Sequence, residues 1–101
     1  MRKVFPRLLQ FNPDLIFISA GFDAHKFDFI NGHMVGLDEF DYQWMAHNIV
    51  AIANRCCEGR VISVMEGGYN TDHGVISPFA QSVAHHVKGL MDYTYLNASE
   101  E

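Results

Sequence analysis

Long apolar runs are missing from this chain, and so is any excess of positive charge. No stretch approaches the ~18 consecutive apolar residues that a membrane-spanning helix needs, and the Met1-Arg2-Lys3 start leads into no hydrophobic signal core. The expectation is an intracellular protein without a membrane partner, in the nucleus, the cytoplasm or both. Seven Lys+Arg stand against twelve Asp+Glu, a formal net charge of -5. That is the reverse of the basic footprint used to hold a phosphate backbone, which argues against direct nucleic-acid binding. Cysteine is scarce too: Cys56 and Cys57 are adjacent and have no second pair to match. They can form neither a disulfide framework nor a zinc-finger pattern. There is no internal repeat, no low-complexity segment and no linker. No Gly-x-Gly-x-x-Gly follows an apolar run, which weakens a nucleotide-binding reading.

What remains is a chain composed to pack. Its 101 residues are 49% hydrophobic and 19% charged, a globular balance at the size of one small domain. Leu15-Ile16-Phe17-Ile18 and Val61-Ile62-Ser63-Val64-Met65 are short apolar runs bounded by turn residues. Both have the form of parallel strands buried on two faces. Between them Leu37, Phe40, Trp44, Asn48, Ile49, Ile52 and Cys56 fall at helical steps, with Asp38 as N-cap and Gly59 past the end. Cys56 lies on that apolar stripe and Cys57 turns away from it, so the first thiol is expected buried and the second exposed. Trp44 is expected in the core. Ser77-Pro78 then opens a second helix carrying Phe79, Val83, Val87, Leu90 and Met91. Val4 to Phe11 keeps a turn or two of helix stopped before Pro13. The polar segment 92–101 is expected to fray.

Strand, helix, strand, helix predicts an α/β domain with a parallel sheet. Two strands are too few for two long helices, so the sheet is expected to belong to something larger. The long connections, Ala20 to Gly36 and Glu66 to Ile76, both leave the carboxyl ends of strands. In open α/β sheets that edge is where ligands bind. Asp23 in the first loop could serve as a metal ligand or a base, or simply as a cap. Gly67-Gly68 in the second could admit a ligand or cradle a phosphate, or form an ordinary turn. Tyr69 could donate its hydroxyl proton to an oxyanion, or merely pack.

Together the segments Ser19-Ala20-Gly21-Phe22-Asp23-Ala24-His25 and Glu66-Gly67-Gly68-Tyr69-Asn70 resemble the carboxyl-terminal part of the histone deacetylase family. The nearest resemblance is to its class II and acetylpolyamine amidohydrolase-like members. It runs from about Pro13 to Leu90. It implies a partial arginase/deacetylase-like fold, the strand-helix-strand-helix portion of a larger three-layer domain occupying residues 1–101. By the same resemblance the complete domain hydrolyses the acetyl-lysine amide of a protein or peptide substrate, using zinc. Asp23 then falls on one of the family's two aspartate zinc ligands and Tyr69 on the transition-state tyrosine. Gly67 and Gly68 lie beside the substrate, and Ile30 takes the place of the leucine that lines the acyl-lysine tunnel. The family reads Asp-Pro-Leu where this chain has Asp28-Phe29-Ile30. The family's tandem histidines and its Asp-x-His segment lie upstream of the matched region. His85-His86 sits within the last helix, where neighbouring side chains diverge by about 100°; it is read as a partly solvated face. His47 is read as a surface residue, His33 and His73 as loop residues, and His25 as a supporting loop residue. Glu66 is expected to be buried in a structural hydrogen bond. The alternative to a deacetylase portion is a non-catalytic fragment acting as an interaction module, its partner being the remainder of such a domain.

Overall fold

The computed structural model describes residues 3–72 and 74–91. His73 and segment 92–101, on which two of the readings above fall, lie outside the described residues. Helix α1 spans Val4–Phe11 and ends at Asn12, whose left-handed backbone (φ 56°) lets its N–H reach the Leu8 and Leu9 carbonyls before Pro13. Strand β1 follows at Ile16–Ala20, helix α2 at Glu39–Cys57, strand β2 at Val61–Met65 and helix α3 at Pro78–Met91. The strands pair in parallel, Ile16 opposite Val61 through Ala20 opposite Met65.

The caps explain where the helices begin. The Asp38 carboxylate accepts the Asp41 N–H at 3.0 Å, while the Asp41 carboxylate accepts the Asp38 N–H at 2.9 Å. This reciprocal box satisfies two donors that a helix start otherwise leaves unpaired. At α3 the Ser77 hydroxyl accepts the Ala80 N–H at 3.1 Å, with Pro78 in the first turn.

One face of the sheet carries the helices. Ile16, Ile52, Ala53 and Cys57 form one core cluster, supported by Phe5, Leu8 and Ile49. Ala20, Phe22 and Tyr42 form another, supported by Leu37, Met45, Phe79 and Val83. Burying Phe22 to 1% exposure contributes about 1.5–3 kcal/mol and sets its ring under the strand ends.

Several expectations about faces are corrected. The buried side of α2 is Tyr42, Ala46, Val50, Ile52, Ala53 and Cys57, whereas Phe40 and Trp44 are exposed. Cys57 is the buried thiol and Cys56 the half-buried one. Cys57 is covered by Ile16, Ile52 and Ala53, while at the start of α2 the face is chosen by the approach of α3. At Gly89 a Cβ would lie 2.5 Å from the Gln43 carbonyl oxygen and 2.9 Å from the Ala46 Cβ, so the helices touch through small residues. Trp44 instead leans on Phe5 at 5.7 Å between ring centroids. The inner side of α3 is likewise small or polar: Pro78, Ser82, His86 and Gly89.

Nor are the strands buried on two faces. Phe17, Ile62 and Val64 are 65%, 47% and 51% exposed on the side away from the helices. An apolar face beside two open strand edges favours association. The chain on its own is therefore expected to self-associate, seen as scattering that rises with concentration. A dilute monomer with one cooperative melting transition would contradict this.

Candidate active site

In-register pairing brings both strand ends to one edge, and two backbone bonds extend the pairing into the loops. Glu66 N–H donates to the Ala20 carbonyl at 3.0 Å and Phe22 N–H to the Gly67 carbonyl at 2.7 Å. The Glu66 side chain, expected to be buried, is exposed; its structural bond is made by its backbone. Beneath the edge the Tyr42 hydroxyl donates to the Gly21 carbonyl at 3.2 Å. Burial pushes the pKa of this phenol up to about 12, so it remains a donor at neutral pH.

Asp23 lies half-buried in a short 3-10 turn, Phe22–Ala24, immediately past β1. Its carboxylate rests on the second loop. A Cβ at Gly67 would fall 2.8 Å from Oδ1 and 2.9 Å from Oδ2, and one at Gly21 3.0 Å from Oδ1. Gly67 is thus required by close approach. Gly68 is required by its backbone as well, with φ 140° and the Phe79 ring where a side chain would go. Among the described residues nothing donates a hydrogen bond to the Asp23 carboxylate, which leaves both oxygens available as ligands.

His25 is 2% exposed and fully engaged. Phe27 N–H donates to Nδ1 at 3.1 Å, which leaves the proton on Nε2, 3.0 Å from Glu39 Oε2. That bond, followed by one to its own backbone, holds the Glu39 carboxyl below its ordinary value. The pair ties the first loop to the start of α2. The Asn31 amide donates to the carbonyls of Asp23 at 2.8 Å and His25 at 3.0 Å, so the backbone on both sides of the Asp23 turn is held.

Tyr69 is 51% exposed at the rim, as is Ile30 at 57%. The backbone N–H groups of both are taken by one buried carboxylate. Asp28, 1% exposed, accepts the Tyr69 N–H at 2.7 Å and the Asn70 N–H at 3.2 Å on Oδ2, and the Ile30 N–H at 3.0 Å on Oδ1. Asp ahead of an apolar pair hints at the local bond to Ile30. The bonds to residues 69 and 70 cross between loops and leave no local signal.

The other histidines are placed apart. His86 is buried, with Nε2 2.7 Å from the Ser63 hydroxyl, and burial lowers its pKa, so it is neutral at pH 7. His85 meets Gln43 Oε1 at 2.7 Å. His86 is thus not the partly solvated residue expected, whereas His85, half-buried, is. His47 is half-buried rather than on the surface, and His33 is an exposed loop residue. Among the described residues no three of His, Cys, Asp and Glu come together in a way that could hold a metal ion. Asp23 therefore belongs to no such group.

Residues 1–90 match the family model for the histone deacetylase domain. The chain is 43% identical over 94 residues to Type-2 histone deacetylase 2 of Dictyostelium discoideum, covering 93% of this chain and 5% of that protein. It is 42% identical over 82 residues to Histone deacetylase 6 of Caenorhabditis elegans, covering 81% of this chain and 8% of that protein. Among solved structures it is similar to the HDA15 HD domain, with TM-score 0.70 and 28% identity, covering 88% of this chain and 22% of that one. The chain thus spans less than a tenth of the length of these curated relatives and about a fifth of the solved domain.

Proposed function

The chain belongs to the histone deacetylase family, and from that premise we propose that it is the carboxyl-terminal portion of a zinc-dependent deacetylase domain acting on acetylated lysine side chains of proteins or peptides. One observation carries the reading. The Asp23 carboxylate, with no hydrogen bond from the described residues, lies against Gly67 of the loop that carries Tyr69. A carboxylate suited to metal ligation and a phenol suited to oxyanion stabilisation are thereby held at one sheet edge.

Asp23 fits zinc as one oxygen ligand, and catalytic zinc sites ordinarily take three from protein. The others are to be sought beyond the described residues, in the upstream part of such a domain. When bound, zinc polarises the amide carbonyl and supplies an activated water. This chain's own residues do the rest that can be assigned to it. Tyr69 donates its hydroxyl hydrogen to the oxygen that becomes negative as the amide carbonyl turns tetrahedral. Gly67 and Gly68 let their loop close against Asp23 and Phe79, which sets the backbone wall beside the substrate, and Ile30 offers an apolar wall to the acyl-lysine stem. The uncovered face of Phe17, Ile62 and Val64 supports a second part of the reading. Its occupant is the remainder of the same domain, without which the chain acts as a non-catalytic module. Hydrolysis of an acetyl-lysine peptide by a complete domain containing this segment, and its loss on substitution at Asp23 or Tyr69, tests the proposal.

A further inference from the structure

Asp28 is the one acidic side chain among the described residues that is fully buried. A carboxylate buried without partners is costly, yet capping its own 3-10 turn would occupy only Oδ1, which takes the Ile30 N–H at 3.0 Å. Oδ2 is spent elsewhere. It takes the N–H groups of Tyr69 and Asn70, at 2.7 and 3.2 Å, from a loop 41 and 42 residues away. Hydrogen bonds to a charged acceptor are the strong ones. Two further restraints close on the same peptide. Gly67 and Gly68, wedged against Asp23 and Phe79, fix the approach to Tyr69. The Asn70 amide donates to the Phe27 carbonyl and fixes the exit. The Tyr69 side chain itself is 51% exposed, so the restraints that act on it are those on its backbone, which fix the Cα–Cβ bond from which the phenol projects.

We infer that Asp28 is the positioning residue for the Tyr69 phenol, aiming it through two backbone N–H groups while touching neither substrate nor metal. The inference rests on the reading of Tyr69 as oxyanion donor. It also bounds the effect, because a group acting only through the phenol can cost no more than loss of the phenol's proton.

The test is a cycle of Asp28→Asn, Tyr69→Phe and the double variant in a complete deacetylase domain containing this segment. It reads kcat and KM on an acetyl-lysine peptide together with zinc content. Asp28→Asn is expected to lower kcat by up to about 10²-fold, the cost of a misplaced group. KM should stay within about threefold and zinc should be retained. In the Tyr69→Phe background the same change should lower kcat no further. Equal losses in both backgrounds, or loss of zinc, would make Asp28 a general structural residue and overturn the inference. Should Asp28→Asn not fold, the α-hydroxy analogue of tyrosine at position 69 replaces the donating N–H by an ester oxygen and leaves the phenol intact. A fall in kcat of about tenfold is then expected, and an unchanged kcat overturns the inference. If Tyr69→Phe alone leaves kcat unaltered, the reading of Tyr69 fails first and takes this inference with it.

Discussion

Replacing Asp23 by asparagine in a complete domain is expected to remove zinc and deacetylase activity together. Asparagine has nearly the shape of aspartate, so the contact with Gly67, where a Cβ would sit 2.8 Å from Oδ1, is kept. What disappears is the charge. A neutral amide oxygen is a much weaker partner for a divalent ion, and a three-ligand site that loses its hold on the metal loses both carbonyl polarisation and the activated water. The fall in activity should therefore exceed the ~10²–10³ expected for one oxyanion donor. Metal analysis after dialysis, beside turnover of an acetyl-lysine peptide, checks it. Full zinc content with activity abolished would instead make Asp23 a base.

Tyr69→Phe should separate the two roles. It keeps the ring and removes only the hydroxyl, and the loop is held by backbone contacts to Asp28 that the change does not touch. Losing one preorganised oxyanion donor costs ~10²–10³ in kcat, roughly 3–4 kcal/mol. Zinc content should not move. A kcat within about threefold of the parent, ~0.7 kcal/mol, would make the phenol a packing group and remove the second loop from the site.

Much of the frame could be read from local pattern, because local physics decides it. Asp38 and Ser77-Pro78 announce helix starts through bonds made within three residues, and Val61–Met65 reads as a strand and is one. The faces were readable only in part, Ile52, Phe79 and Val83 turning to the core as their spacing suggests. Phe40 and Trp44 sit at helical spacing, yet α3 approaches α2 at Gly89, against Ala46, a pairing of residues far apart in sequence that selects small side chains over large ones. His86 shows the same limit: a histidine in a tandem pair looks solvated until Ser63, 23 residues earlier, is found 2.7 Å away. At the candidate site, Asp23, Gly67, Gly68 and Tyr69 stand out in the sequence because whole segments carry the family resemblance. Asp28 was seen only as part of a departure from Asp-Pro-Leu. Its decisive partners lie in the other loop.

The central claim is that this chain holds part of a deacetylase site, one metal ligand and one oxyanion donor. The most direct test compares zinc retention by the chain alone with that of the same chain joined to the upstream part of such a domain, each dialysed against a micromolar chelator. The chain alone should give up its zinc, since Asp23 is a single ligand, and the joined domain should keep it until Asp23 is replaced by asparagine. Zinc kept by the chain alone and lost in its Asp23→Asn variant, or a joined domain whose zinc is indifferent to Asp23, would contradict the account.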